Sequence, residues 1–213
     1  MELTKYTHAC VSLSKDDARI IIDPGVFTSN AAQAIEAAEA VLITHEHIDH
    51  FDEAAIAQAL DARPELRVYG PASVIERWSA RQGQVTAVAA GRTFEVAGFE
   101  VSVFGELHAA IHRNVPAVTN VGYLVDGSLY HPGDAYHVPE HPVETLLLPT
   151  SGPWTKFGEA ADYLEEVASK RVIQIHEAML SEIGQQSAAM FLGPQMLGQV
   201  PVEIVAIGDT VTV

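Results

Sequence analysis

The chain has 213 residues, 48% of them apolar and 19% charged, which suits a globular protein with a sizeable core and excludes a disordered chain. Its formal net charge of −16 speaks against long nucleic acid and against an anionic membrane surface, both of which are held by Lys and Arg. A small anionic substrate stays open, because a bound cation reverses the local sign.

One cysteine, Cys10, leaves no intrachain disulfide. No apolar run approaches the ~20 residues of a membrane span, and Met1–Lys5 lacks the basic-then-apolar run of a signal peptide, so a cytoplasmic location is expected. In chain order, strands are expected around Leu3–Tyr6, Ala9–Leu13 and Ala18–Ile22. An alanine-rich helix follows from Asn30, a plausible N-cap, to Ala40. Val41–Thr44 reads as a strand, Asp52–Ala62 as a helix closed by Pro64, Leu66–Tyr69 as a strand, and Pro71 opens a helix to about Gln82. Val85 to Leu107 is β-like by its alternation at Phe94, Val96, Val101 and Val103. Asn120–Val125 and Ser128–His131 flank Asp126-Gly127, a two-residue hairpin signal. Thr145–Leu148 and Arg171–Ile175 read as strands, Phe157–Ser169 and Ile183–Leu192 as helices, and Val202–Ile207 and Thr210–Val213 as closing strands. The order is β-rich, then alternating β and α, in both halves, which suits mixed sheets covered by helices.

The densest chemistry is Thr44-His45-Glu46-His47-Ile48-Asp49-His50, directly after the apolar run Ala40–Ile43. His45 and His47 are two apart, so in extended backbone they point to one side and suit a single ion. Asp49 and His50 follow a possible turn and can reach a second. Imidazole nitrogen with carboxylate oxygen suits zinc and its neighbours. Other ligand-type residues stand at the ends of separate strands: Asp23, His108, Asp134 and His176. They suggest one shared rim. His108 is preferred to His112 by its place after a strand, and His112, His137 and His141 are read as exposed loop residues. His131, close to Asp134, is read as a supporting residue and a possible general acid. His8 either lines the pocket or packs under it, and Trp154 is either a substrate contact or a loop anchor.

These pieces resemble the metallo-β-lactamase superfamily: Asp23-Pro24-Gly25, the His45–His50 motif, His108, Gly133-Asp134 and His176, in the family's order over almost the whole chain. Thr7-His8-Ala9-Cys10-Val11, Asn120-Val121-Gly122-Tyr123 and Ile175-His176 look most like the small metal-dependent hydrolases near ascorbate-6-phosphate lactonase. Where that branch often has a glycine-rich loop, Pro149–Thr155 has one glycine. The resemblance implies an αββα sandwich, an α/β fold in a single domain over residues 1–213, with a two-metal site at one edge of its sheets. By it, His45, His47 and His108 would hold the first ion, Asp49, His50 and His176 the second, and Asp134 would bridge both. Asp23 would support the metal-binding loop. Relatives with a redox-active di-iron pair have Glu at the second motif position; His47 here favours zinc and hydrolysis, with manganese or iron as alternatives. The expected activity is a metal-dependent hydrolase in which a hydroxide shared by two ions, oriented by Asp49, attacks a small ester, lactone or phosphodiester. The alternatives are a cyclic-nucleotide or nucleic-acid phosphodiesterase and a non-catalytic metal-binding sensor module.

Overall fold

The computed structural model describes residues 1–213. Each half of the chain opens with antiparallel strands and closes with parallel β-α units. In the first half, β1 (Glu2–Lys5), β2 (Val11–Lys15) and β3 (Ala18–Ile22) form a meander. Then α1 (Ala31–Glu36), β4 (Ala40–Leu42), α2 (Glu53–Ala62), β5 (Arg67–Gly70), α3 (Ala72–Ile75) and β6 (Val85–Ala87) add parallel strands outward from β3. In the second half, β7 (Thr93–Val96), β8 (Phe99–Phe104), β9 (Gly122–Val125) and β10 (Leu129–His131) are antiparallel. They are continued in parallel by β11 (Thr145–Pro149), α4 (Phe157–Val167), β12 (Arg171–Ile175), α5 (Glu182–Leu192) and β13 (Val202–Glu203). The last strand, β14 (Thr210–Thr212), returns to pair with β1. Two seven-stranded sheets result, ordered β14-β1-β2-β3-β4-β5-β6 and β13-β12-β11-β10-β9-β8-β7.

Side-chain alternation along the strands sorts the apolar residues into layers. Ile20, Ile22 and Leu42 of one sheet meet Val101, Val103, Tyr123, Leu147 and Ile173 of the other in a central core. Their neighbours Ile21, Val41 and Val68 face outward onto Ile35 of α1 and Ile56 and Leu60 of α2. On the opposite face, Leu146, Leu148 and Val172 pack on Ala160 and Tyr163 of α4 and Leu192 of α5. Both faces of each sheet's parallel strands are therefore covered, and β11 is buried at all five positions. This is the expected αββα sandwich.

Local signals explain the element ends. Asp52 Oδ1 accepts the Ala55 N–H at 3.0 Å and starts α2, and Ser181 Oγ accepts the Gly184 N–H at 3.2 Å and starts α5. Asp126 (φ 49°) and Gly127 (φ 61°) form the tight β9–β10 turn with both central residues left-handed. Several expectations are corrected. The first helix stops at Glu36, because Glu39 N–H bonds to Arg19 O and Ala40 pairs with Ile20, so sheet pairing overrides alanine's helix propensity. Asn30 makes no side-chain cap bond there. The helix after Pro71 ends at Ile75 and tightens into one 3₁₀ turn, Glu76–Trp78, that seats Trp78 on Phe51. The strand expected over Val202–Ile207 spans Val202–Glu203 only. No helix is long and apolar enough to cross a membrane.

Candidate metal centre

The carboxyl ends of β3, β4, β10, β11 and β12, with the β8–β9 loop, converge at one edge of the sandwich. Open α/β sheets present ligands in this place. Asp23 follows β3, the His45–His50 motif follows β4, His108 lies in the β8–β9 loop, Asp134 follows β10 and His176 follows β12. The seven expected ligand residues come together in overlapping groups. His45, His47 and His108 form one; Asp49, His50 and His176 with His8 form another; His45, His50 and Asp134 form a third that joins them. Within each group the ligand atoms lie within 4.8 Å of one another.

Hydrogen bonds fix which atoms face the centre. Asp23, fully buried, accepts the Thr44 N–H at 2.8 Å and the Thr44 hydroxyl at 2.7 Å. That hydroxyl has spent its proton, so at 3.0 Å it accepts from His45 Nδ1–H, and His45 Nε2 is left with a free lone pair. His50 Nδ1–H donates to Asp23 at 2.7 Å, which turns its Nε2 towards the centre. His108 Nδ1–H donates to Ala109 O at 2.6 Å and frees its Nε2. Such outer partners set the tautomer of a metal-binding imidazole. Asp23 thus joins the motif loop at Thr44 and His50.

Asp134 sits in the middle. Its Oδ1 lies 3.1 Å from His50 Nε2, and its Oδ2 lies 3.1 Å from His176 Nε2 and 3.3 Å from His108 Nε2. Its N–H donates to Asn120 Oδ1 at 2.9 Å, and Asn120 Nδ2 donates to Pro132 O at 2.9 Å, so one asparagine ties the whole turn. Gly133 (φ 65°) admits Asn120 there, since a Cβ would overlap Asn120 Oδ1.

Charge follows geometry. Burial alone would lower His50, yet Asp134 and Asp23 hold its pKa well above the ordinary histidine value. Burial pushes His45 well below that value, with His50 adding to the effect. Burial would raise Asp134, but His50 and His176 hold it well below the carboxylate range. Burial would also raise Asp49, but the His8 hydrogen bond and the His50 charge bring it down to about 2.

Two divalent ions fit these residues. His50 Nε2, Asp134 Oδ1 and both ring nitrogens of His176 are buried and, although histidine and aspartate approach to 3.1 Å, make no well-directed hydrogen bond, which a folded protein does not leave without a reason. His45 Nε2 and His47 Nδ1 lie 3.1 Å apart, near the roughly 3.3 Å that separates ligands on a tetrahedral ion with metal–nitrogen bonds of ~2.0–2.1 Å.

The remaining expected residues take other places. His8 and Trp154, read as possible substrate contacts, do not face open solvent: they are 0% and 5% exposed. His8 instead points Nε2 at Asp49 Oδ2, 3.1 Å away, and packs 3.7 Å from the His176 ring centroid. Trp154 donates Nε1–H to Asp134 Oδ2 at 3.0 Å. His131 supports the site but has no proton to spare for a general acid. Its buried Nε2 bonds to Ala9 O at 2.8 Å, and its Nδ1 accepts the Gly133 N–H at 3.1 Å. His112 lies exposed, accepting the Asn114 N–H, and His137 and His141 are exposed as expected.

Sequence reasoning missed Lys5 and Glu177. Lys5 is 1% exposed; its Nζ donates to His8 O at 2.8 Å, to Tyr6 O and to Glu177. Glu177 Oε1 accepts the His8 N–H at 2.8 Å. The ion pair therefore grips both polar groups of the His8 backbone. His8 (φ 67°), Asp23 (φ 52°) and His176 (φ 60°) all hold left-handed backbone, which costs a non-glycine residue ~1–3 kcal/mol and persists only where the surroundings enforce it. The available signal was Lys5 standing two residues after Leu3, on the inward side of an apolar strand.

A larger groove, about 360 Å³, opens at the opposite end of β12 beside Leu164, Ser169, Lys170 and Val200. It has no cluster of three ligand-type side chains, so the chemistry belongs to the histidine-lined edge.

Comparison with known proteins agrees with this geometry. Residues 2–176 match the family model described as a β-lactamase superfamily domain. The chain is 36% identical over 190 residues to Protein Rv0786c of Mycobacterium tuberculosis, covering 85% of this chain and 86% of that one. It is 29% identical over 197 residues to a UPF0173 metal-dependent hydrolase of Myxococcus xanthus, covering 82% and 70%. Among solved structures, Igni18, a metallo hydrolase from Ignicoccus hospitalis, superposes with a TM-score of 0.71 over 99% of this chain and 97% of its own, at 18% identity. A fold of two helix-covered sheets, the histidine–aspartate motif at their shared edge and a family match over most of the length place this chain in the metallo-β-lactamase superfamily.

Proposed function

We propose that this chain is a metal-dependent hydrolase that holds two divalent ions and cleaves a small ester, lactone or phosphodiester. The observation that carries this reading is the convergence of His45, His47, His108, Asp49, His50, His176 and Asp134, with the Nε2 atoms of His45, His50 and His108 turned inward. His45, His47 and His108 would take the first ion, Asp49, His50 and His176 the second, and Asp134 both. Zinc suits this imidazole-rich set best, with manganese or iron next. When bound, the ion pair would supply a water acidified to about neutrality and a Lewis acid for the substrate oxygen.

The protein's own side chains do the rest. Asp49, whose side chain is 20% exposed, is the ligand-type carboxylate nearest solvent and is held ionised with its pKa near 2. His8 fixes Asp49 Oδ2, and the other oxygen is left to accept a hydrogen bond from the attacking water and aim it. Trp154 holds Asp134 from outside the cluster. A purely structural site closes with four ligands and no open position, and the partly exposed Asp49 argues against that. The acidic chain favours a small substrate over long nucleic acid. The names carried by the Myxococcus and Ignicoccus relatives support the hydrolytic class.

The test is a panel of esters, lactones and phosphodiesters run with metal-loaded protein and an Asp49→Ala control. Turnover on at least one class, lowered ~100-fold or more in the control, is expected for loss of an orienting group of this kind. Equal rates for both proteins on every substrate would remove the catalytic reading.

A further inference from the structure

Large apolar side chains that solvent reaches fall into two groups. One lies along α5 and the chain that follows, among them Ile183, Met190 and Ile204, and nothing in the structure shows what covers it. The other is Val26, Phe27, Ile48, Leu107, Val115 and Met179, each at least 40% exposed. All of these stand on loops that build the metal centre. Val26 and Phe27 follow Asp23-Pro24-Gly25, Ile48 lies between His47 and Asp49, Leu107 precedes His108, and Met179 follows His176.

Contacts place Phe27 and Val115 on two sides of the ligand cluster. The Val26 N–H donates to Ile48 O at 2.8 Å, and the Phe27 ring lies edge-on 5.1 Å from His8, on the side of Asp49 and His176. Across the cluster, His47 and His108 share a small cavity with Ile111, Val115 and Pro116. Scattered exposed apolar residues need no account, but a group gathered on the loops around one polar centre marks a binding surface.

The same rim offers little to an anion. Lys5 is buried on Glu177, Arg77 pairs with Glu46 and Glu53, and Lys156 pairs with Glu159. Arg113, in the exposed loop after His108, is the one cation there without a carboxylate partner. Beyond the metal centre itself, a phosphodiester would meet one exposed guanidinium, that of Arg113, beside the exposed apolar side chains of these loops.

We propose that the substrates are uncharged carboxylic esters or lactones bearing an alkyl or aryl group, which lies on the apolar rim while the carbonyl enters the metal centre. This rests on the hydrolase reading above and selects among its substrate classes. Water adds across the acyl C–O bond: its oxygen bonds to the acyl carbon, the C–O bond to the alcohol breaks, and the departing alkoxide takes up a proton from the water, with no change of oxidation state.

The test uses zinc-loaded protein of measured metal content with p-nitrophenyl acetate, butyrate and hexanoate, and with bis(p-nitrophenyl) phosphate. The kcat/KM rises roughly twofold per methylene along the acyl series, about half the effect of full burial because the rim stays partly open. The phosphodiester is the poorest substrate. Ile48→Ser and Val115→Ser, at exposed positions that carry little of the fold, flatten the series, whereas Ile183→Ser on α5 leaves it intact. Calorimetric titration without turnover follows the same order, hexanoate binding more tightly than acetate. A flat acyl series, or a phosphodiester cleaved faster than the hexanoate, overturns this inference while leaving the hydrolase reading in place. Metal-loaded protein that turns over nothing in the panel removes both.

Discussion

His8 Nε2–H donates a hydrogen bond to Asp49 Oδ2 across 3.1 Å from a ring that solvent does not reach. Its Nδ1 accepts the Ala178 N–H at 3.3 Å, which assigns the proton to Nε2 and makes His8 a donor to Asp49. His8 therefore acts as an orienting partner for a ligand-type carboxylate. The expected result for His8→Ala is a second metal site weakened ~10–100-fold, the usual effect of removing such a partner, with the His45–His47–His108 site retained. His8→Gln, whose amide can donate to Asp49, recovers part of it. Metal stoichiometry against a competing chelator, with the visible spectrum of the cobalt-substituted protein, reads both sites; unchanged stoichiometry and spectrum in His8→Ala would refute the assignment.

Lys5 and Glu177 form a buried pair at 3.0 Å that holds the His8 backbone in place. Lys5→Met leaves Glu177 charged, buried and unpaired, and removing one partner of such a pair costs about 3–5 kcal/mol. Lys5→Met with Glu177→Gln is expected to recover most of that loss, because no charge is then stranded. Urea unfolding of the two variants and the parent measures it. A single variant as stable as the parent would show the pair to be dispensable.

The legible part of this site was its motif, because metal chemistry demands particular side chains at short spacing. Asp23, His108, Asp134 and His176 were also readable, each standing just past an apolar strand. What the sequence left ambiguous was direction. Whether His8 and Trp154 look into a pocket or behind it depends on how the loops stack, and both turn their polar atoms onto Asp49 and Asp134. The role of Lys5 was hidden because its partner lies 172 residues away. Of the sheets, alternation in strands such as Ile20–Ile22 was visible, while the shortness of α1 was not, since pairing of Ala40 with Ile20 outweighs local propensity.

Gly25 lies directly against the backbone of the motif loop at Asp49 and His50. A Cβ at this position would overlap the Asp49 carbonyl, and no flexible side-chain end is there to yield. Gly25→Ala is expected to push the motif loop outward, costing about 1–3 kcal/mol of stability, as overpacking does, and lowering metal content. Gly98→Ala is the control. Nothing lies within 4 Å of a Cβ there, so its cost comes only from its left-handed backbone (φ 76°), and metal content stays normal. Thermal unfolding and metal analysis distinguish the two; equal metal content in both would argue against the close packing.

Metal uptake should release protons. With the centre empty, His50 is held protonated well above the ordinary histidine value by Asp134 and Asp23, against the opposing effect of burial. An ion can use His50 Nε2 only after that proton leaves. The sign for stability follows from linkage. A raised histidine contributes fully to the metal-free fold below its unfolded pKa of ~6.5, and the contribution is lost as pH rises through the folded value. Asp49, depressed to about 2, contributes above the unfolded carboxylate value of ~3.9 and loses its contribution as pH falls towards 2. The metal-free protein is therefore expected to lose stability on both sides, through His50 above neutrality and Asp49 in acid, while the metal-loaded protein is lost mainly in acid, where protons displace the ions. Calorimetry of zinc binding at pH 7 in buffers of different ionisation enthalpy should show about one proton released through His50. Asp23→Asn, which removes one of the charges holding that proton, should reduce the release. A binding enthalpy independent of buffer would mean that His50 is already neutral in the metal-free centre.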